Sequence, residues 1–485
     1  MKNLKMMTGL AVLAFTLAAT TSPLHAGETN EVEQLKRQLQ QMQEQFEKVE
    51  AEQKAQIDGL RHQVDLLSAT QAAAATQATA TNLAAAPPPA NAVSRGMYQE
   101  LSDKVDQVVE AQKKVLPGEF NPALGFVGET VGSWRSMGSD QTGSSRPGGF
   151  DVWERSLELN ASASVDPFAK GWIVANASAD SATGESTFGI EEGALQTTSL
   201  PGNLTLTAGR FFGEFGRLSY IHDHELPFVN RPLVLDDYIG GESRSDGAQV
   251  NWLAPVDHYI SLTAGLGDSF GGDDPNPDNP GAYRSFYGLN FWSRASTYFD
   301  LTPSWQLETG VSGLWNPRTE DRGGAILQPD GVTTLTEKQR RLAGVDFKFS
   351  YVPLRDNQFN SFTWGTEILF SDNNYLVDPN GMANSGDEYR SDVNAWGMYS
   401  YVAYKWSRRW SAGFLFDYLE SPQNNNDETL AYSPFVTFAI SHWNELRLQY
   451  THTDHDAASG LQSDDAIYLQ WAWIIGAHSH GWTQR

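Results

Sequence analysis

The residues most able to do chemistry in this chain crowd into one stretch, GEFGRLSYIHDHELPFVNRPLVLDDYIGGES, residues 213–243. At its centre stands His222-Asp223-His224-Glu225. Two imidazoles one residue apart suit a divalent transition metal such as zinc or copper, with a carboxylate to complete the set. That spacing works where the local backbone is extended, because an extended chain puts residues i and i+2 on one side. The bland alternative is a pair of exposed or interfacial histidines with no ligand. Around them, Arg217 and Arg231 oppose Glu214, Asp223, Glu225, Asp236 and Asp237. Set across a narrow aqueous passage, such groups would create a transverse field and select ions by charge as well as size. Simple solvation of a surface loop is the competing reading, and the Phe, Leu and Val of the stretch weigh against it, since they need something to pack on. A connection of this length is functional or disordered, and this one is too apolar for disorder. His452 and His455, and His478 and His480, are further pairs far along the chain. No nucleophile elbow, phosphate loop or zinc-protease helix motif occurs, so the chain does not read as an enzyme.

The elements that must hold this stretch are strands. From Phe120 onward the hydrophobic period is two. Leu157, Leu159, Ala161 and Ala163 alternate with Glu158, Asn160 and Ser162; Val345, Phe347 and Phe349 alternate with Asp346 and Lys348; Ile467, Leu469, Trp471 and Trp473 alternate with Tyr468, Gln470 and Ala472. Alternation alone also fits a soluble sandwich, and the connections decide between the two. Tight turns such as DPFAKG from Asp166, LPGN from Leu200 and SHWNE from Ser441 take turns with long Gly/Asp/Asn-rich loops such as Asp268–Ala282, Asn316–Glu337 and Asp372–Ser391. Short turns on one rim and long loops on the other mark a transmembrane β-barrel. The connections delimit about sixteen strands, including long ones over Ser285–Phe299 and Asp392–Trp406, and a barrel of that size encloses water. Fifteen Trp and 17 Tyr in a chain with no Cys supply aromatic girdles. Glu158, Asp346, Lys348, Glu367, Asp417 and Arg447 fall on the polar face and are expected inside. Their excess of carboxylates points to a weak cation preference.

The N-terminal part is different in kind. Residues 1–26 read as a secretory signal, with Lys2 and Lys5 before an apolar run from Leu10 to Ala19. Its removal deepens an acidic formal charge of −25 that already argues against nucleic acid. Residues 27–68 carry Val32, Leu35, Leu39, Met42, Phe46 and Val49 at 3-4 spacing with polar flanks, a coiled-coil seam for self-association. A stutter at Gln53 unwinds it locally. Residues 69–96 form an Ala/Thr linker ending near Pro87, Pro88 and Pro89, residues 97–116 a short helix, and residues 117–485 the barrel.

In strand number, rim asymmetry and loop position the last three-quarters of the chain resembles sixteen-stranded porins. Those fold their third outer loop into the lumen, and 213–243 is the third long loop by count. A coiled coil ahead of a barrel resembles porins related to the phosphate-selective group, although no ladder of inward Arg and Lys is present. The resemblance implies a homotrimer in the outer membrane of a Gram-negative bacterium, with the coiled coil in the periplasm, passing small hydrophilic solutes or ions. GRFFGEFGRLSYIHDHELPFVNRPLVL from Gly209 and GAHSHGW from Gly476 also resemble barrel proteins known as zinc-regulated TonB-dependent outer-membrane receptors, which would imply metal-linked uptake with zinc at His222 and His224. The chain lacks the plug domain and the roughly 22 strands of such receptors. A non-conducting barrel that tethers the envelope is a third expectation.

Overall fold

The computed structural model describes residues 123–476, except 145, 181, 183, 273–283, 322–324, 329–330, 354–359, 382–385 and 457–458. The signal, coiled coil, linker and short helix expected from the sequence, and His478 and His480, lie outside the described residues.

Among the described residues, seventeen strands follow one another in chain order. They are β1 (Ala123–Arg135), β2 (Gly149–Asp166), β3 (Ala169–Asp180), β4 (Glu185–Thr197), β5 (Leu204–Phe212), β6 (Arg244–Leu253), β7 (Ile260–Gly267), β8 (Asn290–Thr302) and β9 (Trp305–Asn316). After them come β10 (Ala325–Leu327), β11 (Thr334–Tyr351), β12 (Ser361–Asp378), β13 (Tyr389–Lys405), β14 (Trp410–Glu420), β15 (Glu428–Ser441), β16 (Asn444–His455) and β17 (Asp464–Gly476). The three-residue β10 is a hairpin arm on β11. The remaining sixteen form a closed antiparallel barrel, because β9 pairs directly with β11 and β1 pairs with both β2 and β17. Closure removes the unpaired edges that an open sheet would expose.

Register sorts the side chains into two sets, as the period of two requires. Asp346 stands opposite Gly310 and Glu367, Glu367 opposite Tyr399, Tyr399 opposite Asp417, and Asp417 opposite Ala431. Asp346, Glu367, Tyr399, Asp417 and Ala431 are all buried. They form one continuous row on the inner wall from β11 to β15. One residue along, Val345 and Val311 face each other on the outside, and both are exposed, as are Leu448 and Leu469 on β16 and β17. Apolar side chains pointing out and charged ones pointing in invert a soluble core, and only lipid on the outside accounts for that arrangement. Aromatics gather at the short-turn rim: Trp305 lies 4.7 Å from both Phe349 and Tyr351, Trp410 lies 4.6 Å from Phe438, and Tyr404, Trp406 and Trp443 are exposed beside them.

Several boundaries differ from the sequence reading. The loop expected over Asn316–Glu337 contains β10 and the start of β11 at Thr334, and the strand expected over Asp392–Trp406 begins at Tyr389 and ends at Lys405. The strand expected from Ser285 begins at Asn290, because Phe286–Gly288 closes a 3-10 turn first. The loop expected over Asp372–Ser391 is shorter: pairing of β12 with β13 continues to Val377 and Tyr389. Polar composition there reflects strands rising past the apolar belt into water, not a break in the ladder.

Candidate functional site

The stretch 213–243 starts where β5 ends and returns to β6, making it the third long connection. Its neck is closed by backbone and side chain together: Gly213 N–H donates to Ser243 O at 2.8 Å and Ser243 Oγ–H to Gly213 O at 2.6 Å. Between these ends the chain lies inside the barrel and meets the inner wall on every side. The Glu214 carboxylate accepts from Thr263 on β7 at 2.6 Å. Gly216 N–H donates to Ser312 Oγ on β9, and Arg217 N–H to Glu367 on β12. Val229 N–H donates to Gln449 on β16 at 2.7 Å, and Arg155 on β2 donates back to Val229 O at 2.7 Å. Leu233 N–H reaches Asp417 on β14, and Tyr238 O–H reaches the Glu420 carbonyl.

The apolar residues of the stretch explain why it stays. Phe215, Leu226, Phe228, Val234, Leu235 and Ile239 are essentially fully buried. Phe228 sits edge-on to Tyr401 (5.5 Å between centroids) and Phe435 (6.1 Å) on the wall. Phe215 packs edge-on to Phe270, which leans on Trp292. A short helix, Leu233–Ile239, ends at Gly240 in the left-handed region, where a side chain is disfavoured. Gly216, also left-handed, lies so close to Glu367 that a Cβ would stand 2.0 Å from its Oε1. The loop therefore has its own hydrophobic core, shared with the wall, in a place where most barrels of this width hold water.

The charged residues expected to face one another across a passage are distributed otherwise. Arg217 reaches the wall, 2.8 Å from Glu308 and 3.9 Å from Asp346. Arg231 clasps the loop to itself: its guanidinium donates to Leu218 O and Ile221 O at 2.7 Å each, pairs with Asp223 at 2.7 Å and approaches Glu242 at 3.3 Å. Burial works against the Asp223 carboxylate, but Arg231 and Arg155 outweigh it and hold it below the ordinary range. Glu225 is half-buried beside the histidines, whereas Asp236 and Asp237 are exposed. The inner-wall candidates Glu158, Asp346, Lys348, Glu367, Asp417 and Arg447 all point inward and are buried.

His222 and His224 come together, though not on extended backbone. Asp223–Glu225 forms a 3-10 turn, with His222 at its extended N-cap (φ −62°, ψ 149°). The kink between cap and turn aligns the two rings, stacked with centroids 5.4 Å apart and 27° between planes. His224 Nδ1 lies 3.1 Å from Glu158 Oε1 on β2, and His222 Nε2 lies 3.0 Å from Glu192 Oε1 on β4. Burial would strip the proton from either ring. The carboxylates of Glu158, Glu192 and Glu191 outweigh this at His222, as Glu158 does at His224, and hold both above the ordinary histidine range. His452 and His455 stand elsewhere, bonded to Asp465 and Thr429 on neighbouring strands. Sequence reasoning missed Glu191, Glu192 and Glu242 beside His222; the consecutive Glu191-Glu192 was the one available signal.

No protein family profile matches the chain. An uncharacterized protein of Aquifex aeolicus is 24% identical over 351 residues, covering 66% of this chain and 68% of its own. Among solved structures, OprB of Pseudomonas putida superposes with a TM-score of 0.50 at 9% identity, over 77% of this chain and 97% of its own. The outer membrane channel DcaP of Acinetobacter baumannii gives a TM-score of 0.49 at 10% identity, over 73% of this chain and 97% of its own. An anion-selective porin from Comamonas acidovorans gives 0.47 at 7%, over 73% and 99%. At such identities the OprB likeness speaks for the barrel fold alone.

Proposed function

We propose that the protein is an outer-membrane channel for small hydrophilic solutes or ions, and that residues 213–243 narrow its lumen. The observation that carries this reading is the loop itself, folded into a sixteen-stranded barrel and bonded to inward residues from β2 round to β16. A barrel exposing apolar groups outward belongs in a bilayer, and without Cys it is suited to export with no disulfide to form. Arg217 and Arg231 are neutralised by wall and loop carboxylates, while desolvation raises the Asp236 and Asp237 carboxyls at the loop surface to about 8 and about 6, so the loop's negative surface and its preference for cations grow as pH rises through that range. The coiled coil of residues 27–68 would join protomers as a trimer on the periplasmic side. Chemical cross-linking of the full chain, compared with a chain lacking residues 27–68, tests that part.

Planar-bilayer recording tests the channel. Wild type should give discrete ohmic steps with a reversal potential favouring cations in a salt gradient. Deletion of Tyr220–Leu235 should raise the step size several-fold and weaken selectivity. Unchanged steps would retire the constriction. Silence from both proteins would leave the non-conducting, envelope-tethering barrel as the better account.

A further inference from the structure

The histidine pair faces more negative charge than its neighbours balance. Glu158, Glu191 and Glu192 stand together on the inner wall of β2 and β4, with Glu158 and Glu191 buried. Their hydrogen-bond donors include neutral groups: Ser156 Oγ at 3.0 Å from Glu158, Asn176 Nδ2 at 3.1 Å from Glu191 and Trp172 Nε1 at 2.8 Å from Glu192. Among the described residues, the ion-pair partners within 4.0 Å of these three carboxylates are the two imidazoles. Two imidazolium rings stacked 5.4 Å apart would repel each other while balancing the wall.

Atom-level geometry sharpens the point. A carboxylate oxygen only accepts, so His222 Nε2 carries the hydrogen and donates to Glu192. In the neutral ring the lone pair is then on Nδ1. That atom is buried with no hydrogen-bond partner among the described residues. It looks onto Glu158 Oε1 at 3.7 Å and Glu191 Oε1 at 3.8 Å. A lone pair directed at two carboxylates is repulsive, and either a proton on Nδ1 or a metal ion standing between the three atoms relieves it. His224 Nδ1 lies 3.1 Å from the same Glu158 oxygen and donates to it without metal, a hydrogen that a bound ion would displace. One ligand atom from each of Glu158, His222 and His224 falls in a cluster no wider than 4.8 Å, and Glu191 and Glu242 make a second such cluster with His222. Ligand atoms around a tetrahedral zinc with bonds of about 2.0–2.1 Å lie roughly 3.3 Å apart, so a small contraction completes the shell.

We propose that Glu158, His222 and His224 bind one divalent transition-metal ion of the zinc class, with Glu192 orienting the His222 ring and Glu191 within reach as a further oxygen ligand. The carboxylate–imidazole–metal relay through Glu192 is the outer-shell arrangement that fixes a histidine's tautomer at metal centres. The ion would cross-link the loop to the wall over 66 residues of sequence, fastening the loop in the lumen at β2 and β4. The site requires the loop to occupy the lumen; it does not require the barrel to conduct, so its failure and that of the channel reading are separable.

The test uses the full-length protein in detergent, stripped with EDTA and titrated with Zn²⁺ against a chromophoric chelator. Wild type should take up one equivalent per chain. Glu158→Gln and His224→Ala should abolish stoichiometric uptake, and Glu192→Gln should weaken it about 10–100-fold. His452→Ala, on β16 and hydrogen-bonded to Asp465 instead of to the cluster, should match wild type. Retention of the unheated, fast-migrating gel band confirms a closed barrel in each variant. As a readout that needs no variant, the Cu²⁺-loaded wild type should show nitrogen hyperfine splitting from two imidazoles in its electron paramagnetic resonance spectrum. The proposal is overturned by absence of a stoichiometric ion in wild type, by oxygen-only ligation in that spectrum, or by undiminished uptake in the His222→Ala/His224→Ala double variant. Undiminished affinity in Glu192→Gln would overturn the orienting role given to that residue.

Discussion

Arg231→Met is the most informative single change in the loop. The methionine keeps much of the side-chain volume and removes the guanidinium. Arg231 is 6% exposed, and its fork satisfies the Leu218 and Ile221 carbonyls as well as the Asp223 and Glu242 carboxylates. Removing one partner of a buried ion pair costs about 3–5 kcal/mol, because the other charge is left uncompensated. Asp223 keeps 35% of its side chain accessible, so water recovers part of this, and about 3 kcal/mol is the appropriate figure. The barrel ladders do not involve Arg231, so the cost falls on the loop's closed state. At about 1.4 kcal/mol per decade, the loop's opening equilibrium should rise roughly 100-fold. Hydrogen exchange followed by mass spectrometry reads this directly: peptides from 213–243 should exchange about two decades faster, with peptides from β11 to β13 unchanged. Arg231→Lys should recover only part of the protection, since an ammonium cannot span two carbonyls and two carboxylates at once. The reasoning fails if exchange in 213–243 stays within a few-fold of wild type while the barrel band is retained. It also fails if the strands lose protection together with the loop.

Two further outcomes are expected. Phe228→Ala empties a fully buried site between Tyr401 and Phe435 and should cost the loop about 3–5 kcal/mol; bilayer recordings should show larger or noisier steps, and steps identical to wild type would mean that this contact does not hold the loop. Leu469→Arg puts a charge on an exposed outward position near the middle of β17, opposite Gly132 and Leu448, and should cost about 2–4 kcal/mol in guanidinium unfolding of the protein in vesicles; a neutral result would reverse the assignment of faces.

The sequence by itself determined the barrel. Alternation over Val345–Tyr351 and Ile467–Ile475 assigned each side chain a face, because a strand repeats every two residues whatever surrounds it. Turn lengths then set the strand number and made 213–243 the third long loop, and the apolar content of that loop required a surface for it to pack on. Only the tertiary structure decided which surface. Arg217 meets Glu308 at a separation of 91 residues and Glu367 at 150, and Val229 meets Gln449 at 220. Such pairs depend on the register of every intervening strand and on the angle at which the loop enters, and local pattern carries neither. The histidines show the same division. His222 and His224 were visible as a pair, yet the wall carboxylates opposite them became neighbours only when β2 and β4 closed into the ring and the 3-10 turn aimed both rings at Glu158.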